Sequence, residues 1–208
     1  MTSIVPGSGS SLRLADIAPG MRGAIAVYAA SATDIDPVYY EAARELGALI
    51  AREGYALVDG GGAVGLMGAV NDGCLRAGGT AIGVIPAFMH ERGWGHTGLS
   101  AQVVAADMHH RNSLMAALAD GVIALPGGAG TLEEILEIIT WRKLRLFDGP
   151  AVIADIAGYY RPLAEMLARA VNQGFMSDTT PLYAIAPTPA EALSLALGRP
   201  LRPHHSDL

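Results

Sequence analysis

The sequence predicts a single α/β domain in which a parallel sheet is covered by helices on both faces, and three observations carry this reading. Short β-type runs alternate with amphipathic stretches along nearly the whole chain, and a helix between successive strands is what returns the chain for parallel pairing. With 208 residues, 51% of them hydrophobic and 16% charged, the chain can bury one core comfortably and not two. No linker and no internal repeat at solenoid spacing divides it.

Taken in order, residues 1–20 are rich in Ser and Gly and read as a mobile arm, ahead of a domain over 21–198 and a tail over 199–208. The first strand is expected over 24–28. A helix then starts near Pro37, whose fixed φ suits a first turn, and ends at Gly54, with Ala42, Ala43, Leu46, Leu49 and Ile50 toward the sheet. Strand and helix follow at 55–59 and 66–77, then a strand at 80–85. Residues 86–100 form the longest irregular stretch, which carries His90, Glu91, Arg92, Trp94 and His96 and reads either as a lid or as a surface excursion. Three more pairs are expected at 101–104 with 108–119, 121–125 with 131–144, and 150–153 with 159–172, and a last one at 183–185 with 189–197. The expected fold is therefore a Rossmann-like, doubly wound sheet.

Composition removes several function classes. Cys74 is the only cysteine, so there is no intrachain disulfide and no cysteine cluster for zinc or iron–sulfur, which fits a reducing, cytoplasmic compartment. Cys74 itself, among Val70, Leu75 and Ala77, reads as a buried filler. No apolar run is long enough for a secretory signal or a membrane span. The net charge is −6, and one lysine, Lys143, stands against thirteen arginines, with one short basic cluster at 141–145. A nucleic-acid backbone needs a basic stripe and is not an expected partner, whereas a single phosphate can be held by backbone N–H groups and one arginine. No metal and no cofactor is expected.

Two glycine loops stand out. The first, Asp59-Gly60-Gly61-Gly62-Ala63-Val64-Gly65-Leu66-Met67-Gly68, formally contains G-x-G-x-x-G, but it follows the second strand, and Ile85 and Pro86 occupy the place of the acidic residue that grips a dinucleotide ribose. It reads as a loop shaped for close approach of backbone, ligand or a neighbouring helix. The second loop, Pro126-Gly127-Gly128-Ala129-Gly130-Thr131, joins a strand to a helix start, where free N–H groups and missing Cβ atoms make an anion site. Thr131 and Glu134 also have capping-box spacing, which would spend those N–H groups on the helix itself. Three glycines before the cap exceed what such a junction needs and favour phosphate.

On the helix from Thr131, Leu132, Ile135, Leu136 and Ile139 form one expected apolar face, while Ile138 and Trp141 flank Glu134 on another. Glu134 is thereby expected to be partly desolvated, with a raised pKa. Met108, Arg111, Met115 and Leu118 set an arginine in an apolar stripe, where it can snorkel or seek an anion. In an open parallel sheet the helix start at Met108 and the Thr131 loop open on the same side, so Arg111 can reach either the phosphate or Glu134.

An arginine-bearing helix start followed by P-G-G-x-G-T-x-x-E, here Pro126 to Glu134, resembles the LOG (Lonely Guy) family of phosphoribohydrolases. The resemblance runs from about Ala24 to about Leu193 and includes the Gly60 to Gly68 loop and Gly158 to Tyr160. It implies hydrolysis of the N-glycosidic bond of AMP or an N6-substituted, cytokinin-type AMP, with Arg111 and Glu134 catalytic. It implies substrate contacts from Gly127, Gly128, Ala129, Gly130, Thr131 and Glu133, and from Ser31, Gly61 and Gly62. Met108 is placed near the base and Glu91 against substrate, and the assembly is expected to be a homodimer, using the second apolar side of the Thr131 helix. Two departures fall at expected ligand-side positions: Asn112 stands where the family has lysine, and Ala29, Ala30, Ser31 replace a Gly-Ser-Ser turn. The rival reading is a non-catalytic nucleotide or cofactor carrier on the same fold, which needs the loops but no Arg–Glu pair. Lysine-dependent Schiff-base chemistry has only Lys143 to use, about three turns into its helix.

Overall fold

The computed structural model describes residues 2–5, 12–176 and 182–202. Its elements run β1 (Thr2–Ile4), α1 (Leu14–Ile17), β2 (Ala24–Tyr28), α2 (Pro37–Arg52), β3 (Ala56–Asp59), α3 (Gly65–Arg76), β4 (Ala81–Pro86), α4 (Ala87–Glu91) and β5 (Ala101–Ala105). They continue as α5 (Met108–Leu118), β6 (Gly121–Ala124), α6 (Ala129–Lys143), β7 (Ala151–Ala154), a short 3-10 turn, α7 (Arg161–Asn172), β8 (Ala184–Ala186) and α8 (Pro189–Leu197). The strands form one eight-stranded sheet in the order β1-β5-β4-β3-β2-β6-β7-β8, with every pairing parallel.

Period-two alternation along the buried strands packs both faces of the one sheet. Ile25 and Val27 of β2 face one side, with Leu46, Ile50, Val70 and Leu193, and Ala24, Ala26 and Tyr28 face the other, with Met115, Ile135 and Ile138. The order of connection reverses at β2, which lies between β3 and β6. At such a switch point the loops leaving two adjacent strands diverge to opposite faces and open a crevice at the strands' carboxyl ends.

Four expectations are altered. Residues 2–4 of the expected arm are a strand, Thr2 opposite Ala101 and Ile4 opposite Val103, and they cover the backbone edge that β5 would otherwise expose. Further along the arm, Leu14 to Ile17 are helical and Ala18 is buried, and 6–11 lie outside the described residues. In the expected tail, the buried carboxylate of Glu53 accepts hydrogen bonds from Arg199 Nη2 and Arg202 N, both at 2.7 Å. The stretch after β4 is not irregular throughout: it opens with α4 and is pinned to the first glycine loop by the Gly62–Gly95 bridge and by His96 N–H donating to Gly61 C=O.

The fourth concerns α6, which starts at Ala129 with Gly128 as N-cap, two residues earlier than expected. Its buried face is Thr131, Glu134, Ile135, Ile138 and Ile139. Ile138 is therefore core, in contact with its own sheet, Trp141 packs against the same cluster, and Leu136 is the residue turned outward. A two-residue shift of the start does not change helical phase, but the sheet selects the stripe that contains Thr131 and Glu134, so the free side is not the one the sequence pattern assigned.

Candidate active site

The crevice at the switch point is a cleft of about 890 Å³. The turn after β2 supplies Ser31, the first glycine loop Gly62, α5 Met108 and Arg111, and the α6 start Gly128, Ala129, Gly130, Thr131 and Glu134. Val64, Met67, Ile85, Met89 and Trp94 make one wall apolar. Trp94 is half-exposed, and the guanidinium of Arg92 lies 5.1 Å from its ring centroid and 5.7 Å from that of Phe88.

Four residues singled out in the sequence stand outside this lining. Gly127 is buried, and a side chain there would overlap that of Thr131. Gly61 is buried with φ +71° and donates its N–H to Asp59. Glu133 and Glu91 are exposed, on α6 and at the end of α4.

The two helix starts that meet at the cleft differ. At α3, the carbonyl of Ala30 accepts from both Leu66 N–H and Met67 N–H, and Gly65 adopts φ +63° to let the β2 turn in. The Leu66 and Met67 N–H groups of that start are spent on the protein's own backbone and are not available to a dinucleotide pyrophosphate. At α6 the N-cap is a glycine with no side chain to cap the helix, and Thr131 sits inside the first turn, so the capping-box arrangement is absent. The N–H groups of Gly128, Ala129 and Gly130 have no protein acceptor among the described residues, and a Cβ built on Gly128 or Gly130 meets nothing within 4 Å. These two glycines are not required by packing, and their bareness leaves room for a ligand.

Arg111 and Glu134 meet at the floor of the cleft, Nη1 to Oε1 at 2.6 Å, both side chains buried. Of the two partners open to Arg111 from the sequence, the structure joins it to Glu134. Burial raises the Glu134 carboxyl above the ordinary glutamate value, and the adjacent guanidinium opposes that rise. Asn112 does not line the cleft. It is buried, accepting from Arg111 Nη1 at 3.2 Å and donating to Glu137 at 3.1 Å, so it steadies the arginine through protein contacts.

Asp59 was not legible as part of this assembly. It is fully buried, accepts from Gly61 N–H and Asn71 Nδ2 at 2.8 Å each, and burial pushes its carboxyl up to about 7. It fixes the glycine loop against which the guanidinium rests, since a Cβ on Gly60 would lie 2.3 Å from Arg111 Nη2. Its position as the last residue of a strand before three glycines was the available signal; its partner Asn71 lies twelve residues on, inside a helix.

Fold and site define a Rossmann-like α/β protein with a switch-point cleft, an open helix start and a buried arginine–glutamate floor. A family model described as "Possible lysine decarboxylase" matches residues 67–195. The chain is 44% identical over 143 residues to a cytokinin riboside 5′-monophosphate phosphoribohydrolase of Rhodococcoides fascians, covering 68% of this chain and 72% of that one. It is 37% identical over 189 residues to a probable enzyme of the same name from Oryza sativa subsp. japonica, covering 90% and 85%. It belongs to this family, the LOG phosphoribohydrolases. Among solved structures, the molybdenum cofactor binding protein of Rippkaea orientalis is similar at a TM-score of 0.65 and 26% identity, covering 86% of this chain and 98% of that one. Lys143, the only lysine, is the last residue of α6 and exposed, about 13 Å along the helix from Glu134 at the cleft floor, so lysine chemistry at this site does not fit the family model's description.

Proposed function

We propose that this protein hydrolyses the N-glycosidic bond of a nucleoside 5′-monophosphate, either a cytokinin-type N6-substituted AMP or AMP itself. The observation that carries this reading is the buried Arg111–Glu134 pair at the floor of the cleft, one turn below an open helix start. In the reaction the C1′–N bond breaks with its electron pair going to the base, which takes up a proton, and water adds to C1′ to leave ribose 5-phosphate. Positive charge develops on the sugar as the bond opens. Glu134 stabilises that charge and orients the water, Arg111 favours the ionised carboxylate and aims it, and the N–H groups of Gly128, Ala129, Gly130 and Thr131 hold the phosphate and fix the sugar's position. Met108 and the apolar wall face the base, and Ser31 and Gly62 border the sugar.

A carrier function has the molybdenum-cofactor proteins among its structural neighbours in its favour, but carriage needs only a cleft and no buried ion pair at its floor. The test is incubation with AMP and with isopentenyl-AMP, followed by chromatography for free base and ribose 5-phosphate. Release from either supports the hydrolase; binding without release supports the carrier. We also propose a homodimer that covers the exposed Leu136 of α6. Light scattering that reads 21.5 kDa, and not twice that mass, would remove it.

A further inference from the structure

Three consecutive carbonyls lead into α6, and each is tied to a donor elsewhere in the protein. Leu125 C=O accepts from the Tyr160 hydroxyl at 2.8 Å, Pro126 C=O from Ala30 N–H at 3.3 Å, and Gly127 C=O from the Tyr159 hydroxyl at 2.8 Å. A trans peptide is planar, with its C=O and the following N–H pointing in opposite directions, so fixing a carbonyl also aims the next N–H. Holding Gly127 C=O therefore aims the N–H of Gly128, which lines the cleft and has no protein acceptor among the described residues. Holding Leu125 C=O aims nothing, because the next residue is Pro126 and has no N–H.

We propose that Tyr159 is a positioning residue for the substrate phosphate: its hydroxyl holds the Gly127 carbonyl so that the Gly128 N–H points at the anion. It acts through the peptide and does not touch the substrate, and the proposal rests on the phosphate-site reading above. The hydrogen bond also polarises the Gly127–Gly128 peptide and makes that N–H a stronger donor. The ring is fixed for the task, edge-on to Tyr39 at 6.0 Å and to Tyr160 at 5.0 Å. A tight turn delivers it, with Ala157 at φ +53° and Gly158 at φ +76°, anchored by Tyr160 N–H donating to Asp155 Oδ1.

Tyr160 supplies the control, since it makes the same bond at the same length to a peptide that carries no N–H. Calorimetric affinities for AMP and for adenosine, with Tm, are to be measured on the parent protein, Tyr159→Phe and Tyr160→Phe. Tyr159→Phe is expected to weaken AMP roughly three- to tenfold, as loss of one well-aimed hydrogen bond, with adenosine affinity little changed and Tm lowered less than by Tyr160→Phe, because Tyr159 is partly exposed and water can take the place of its hydroxyl at the Gly127 carbonyl. Tyr160→Phe leaves a buried carbonyl without its donor, so it should lower Tm and keep the parent ratio of AMP to adenosine affinity. A Tyr159→Phe protein that retains the parent ratio, or equal loss of that ratio in both variants, overturns the proposal. A parent protein that does not prefer AMP to adenosine overturns the phosphate-site reading itself.

Discussion

The two glycine loops at the cleft have nearly the same local plan, a buried strand, a glycine cluster and a helix, yet their glycines answer to different demands. In the first loop the glycines are fixed by what presses on them: Arg111 against Gly60, the Ala30 carbonyl against Gly65. The α3 start that follows is closed by that carbonyl. In the second, only Gly127 is pressed, by Thr131, while Gly128 and Gly130 border empty space and the α6 start is open. A glycine demanded by neighbouring atoms is a statement about packing. One that nothing demands, at a helix start with unspent N–H groups, is a statement about a ligand. Arg111 ties the two together, resting on the first loop and pairing with the helix of the second.

The strongest test of this division acts on that tie. Glu134→Gln keeps size and most hydrogen bonding but removes the charge that we propose stabilises the developing cation, so turnover should fall about a hundredfold or more while AMP affinity holds or rises. Base release and AMP binding measured on the same preparation decide it. Unchanged release from the Gln variant would show that the pair is structural, and that the second loop merely borders a binding cleft.

The loops themselves are separated by a pair of substitutions. Gly65→Ala must place a Cβ 2.6 Å from the Ala30 carbonyl oxygen at φ +63°, so it should cost several degrees of Tm. Gly130→Val projects into open space, so it should leave Tm near the parent value and weaken AMP more than tenfold by occupying the place we propose for the phosphate. Reversal of the two outcomes, with affinity lost at Gly65 and stability at Gly130, breaks the comparison.

What the sequence made legible follows the same line. Periodicity located the main strands and helices, because burial on both faces of a parallel sheet leaves continuous apolar runs that few other folds require. The second loop was legible because excess glycine before a helix has few structural explanations. The edge strand at Thr2 was hidden because its short segment makes sense only beside β5, a contact about a hundred residues away. The outward side of α6 was misassigned because Leu136 and Ile138 are equivalent to a periodicity count, and only the sheet distinguishes them. Asn112 shows the same limit: its neighbour Arg111 faces the cleft, but Glu137 across the α5–α6 contact draws the amide to the other side.

The smallest effect belongs to Asp59 and tests whether the first loop serves packing alone. Its carboxyl is fully buried, and burial lifts it from an ordinary value of 3.8 to about 7, against the opposing pull of Gly61 N–H, Asn71 and Arg111 and with the help of the Glu134 charge. Because the folded value is above the unfolded one, the folded protein holds the proton more tightly between those two values. The stability this contributes is complete below about pH 4 and is lost as the pH rises through about 7. Asp59→Asn removes the titration. It keeps an acceptor for Gly61 N–H and presents an amide to Asn71, whose Oδ1 is buried without a hydrogen-bond partner among the described residues, so a turned Asn71 amide can accept from it. The variant should therefore melt above the parent at pH 8, and the gap should close toward pH 4. Thermal melts of both proteins across that range measure it. A parallel pair of pH profiles would show that Asp59 does not titrate in the folded protein's working range. A variant that instead loses AMP affinity at constant Tm would place the first loop among the groups that hold the ligand and erase the distinction between the loops.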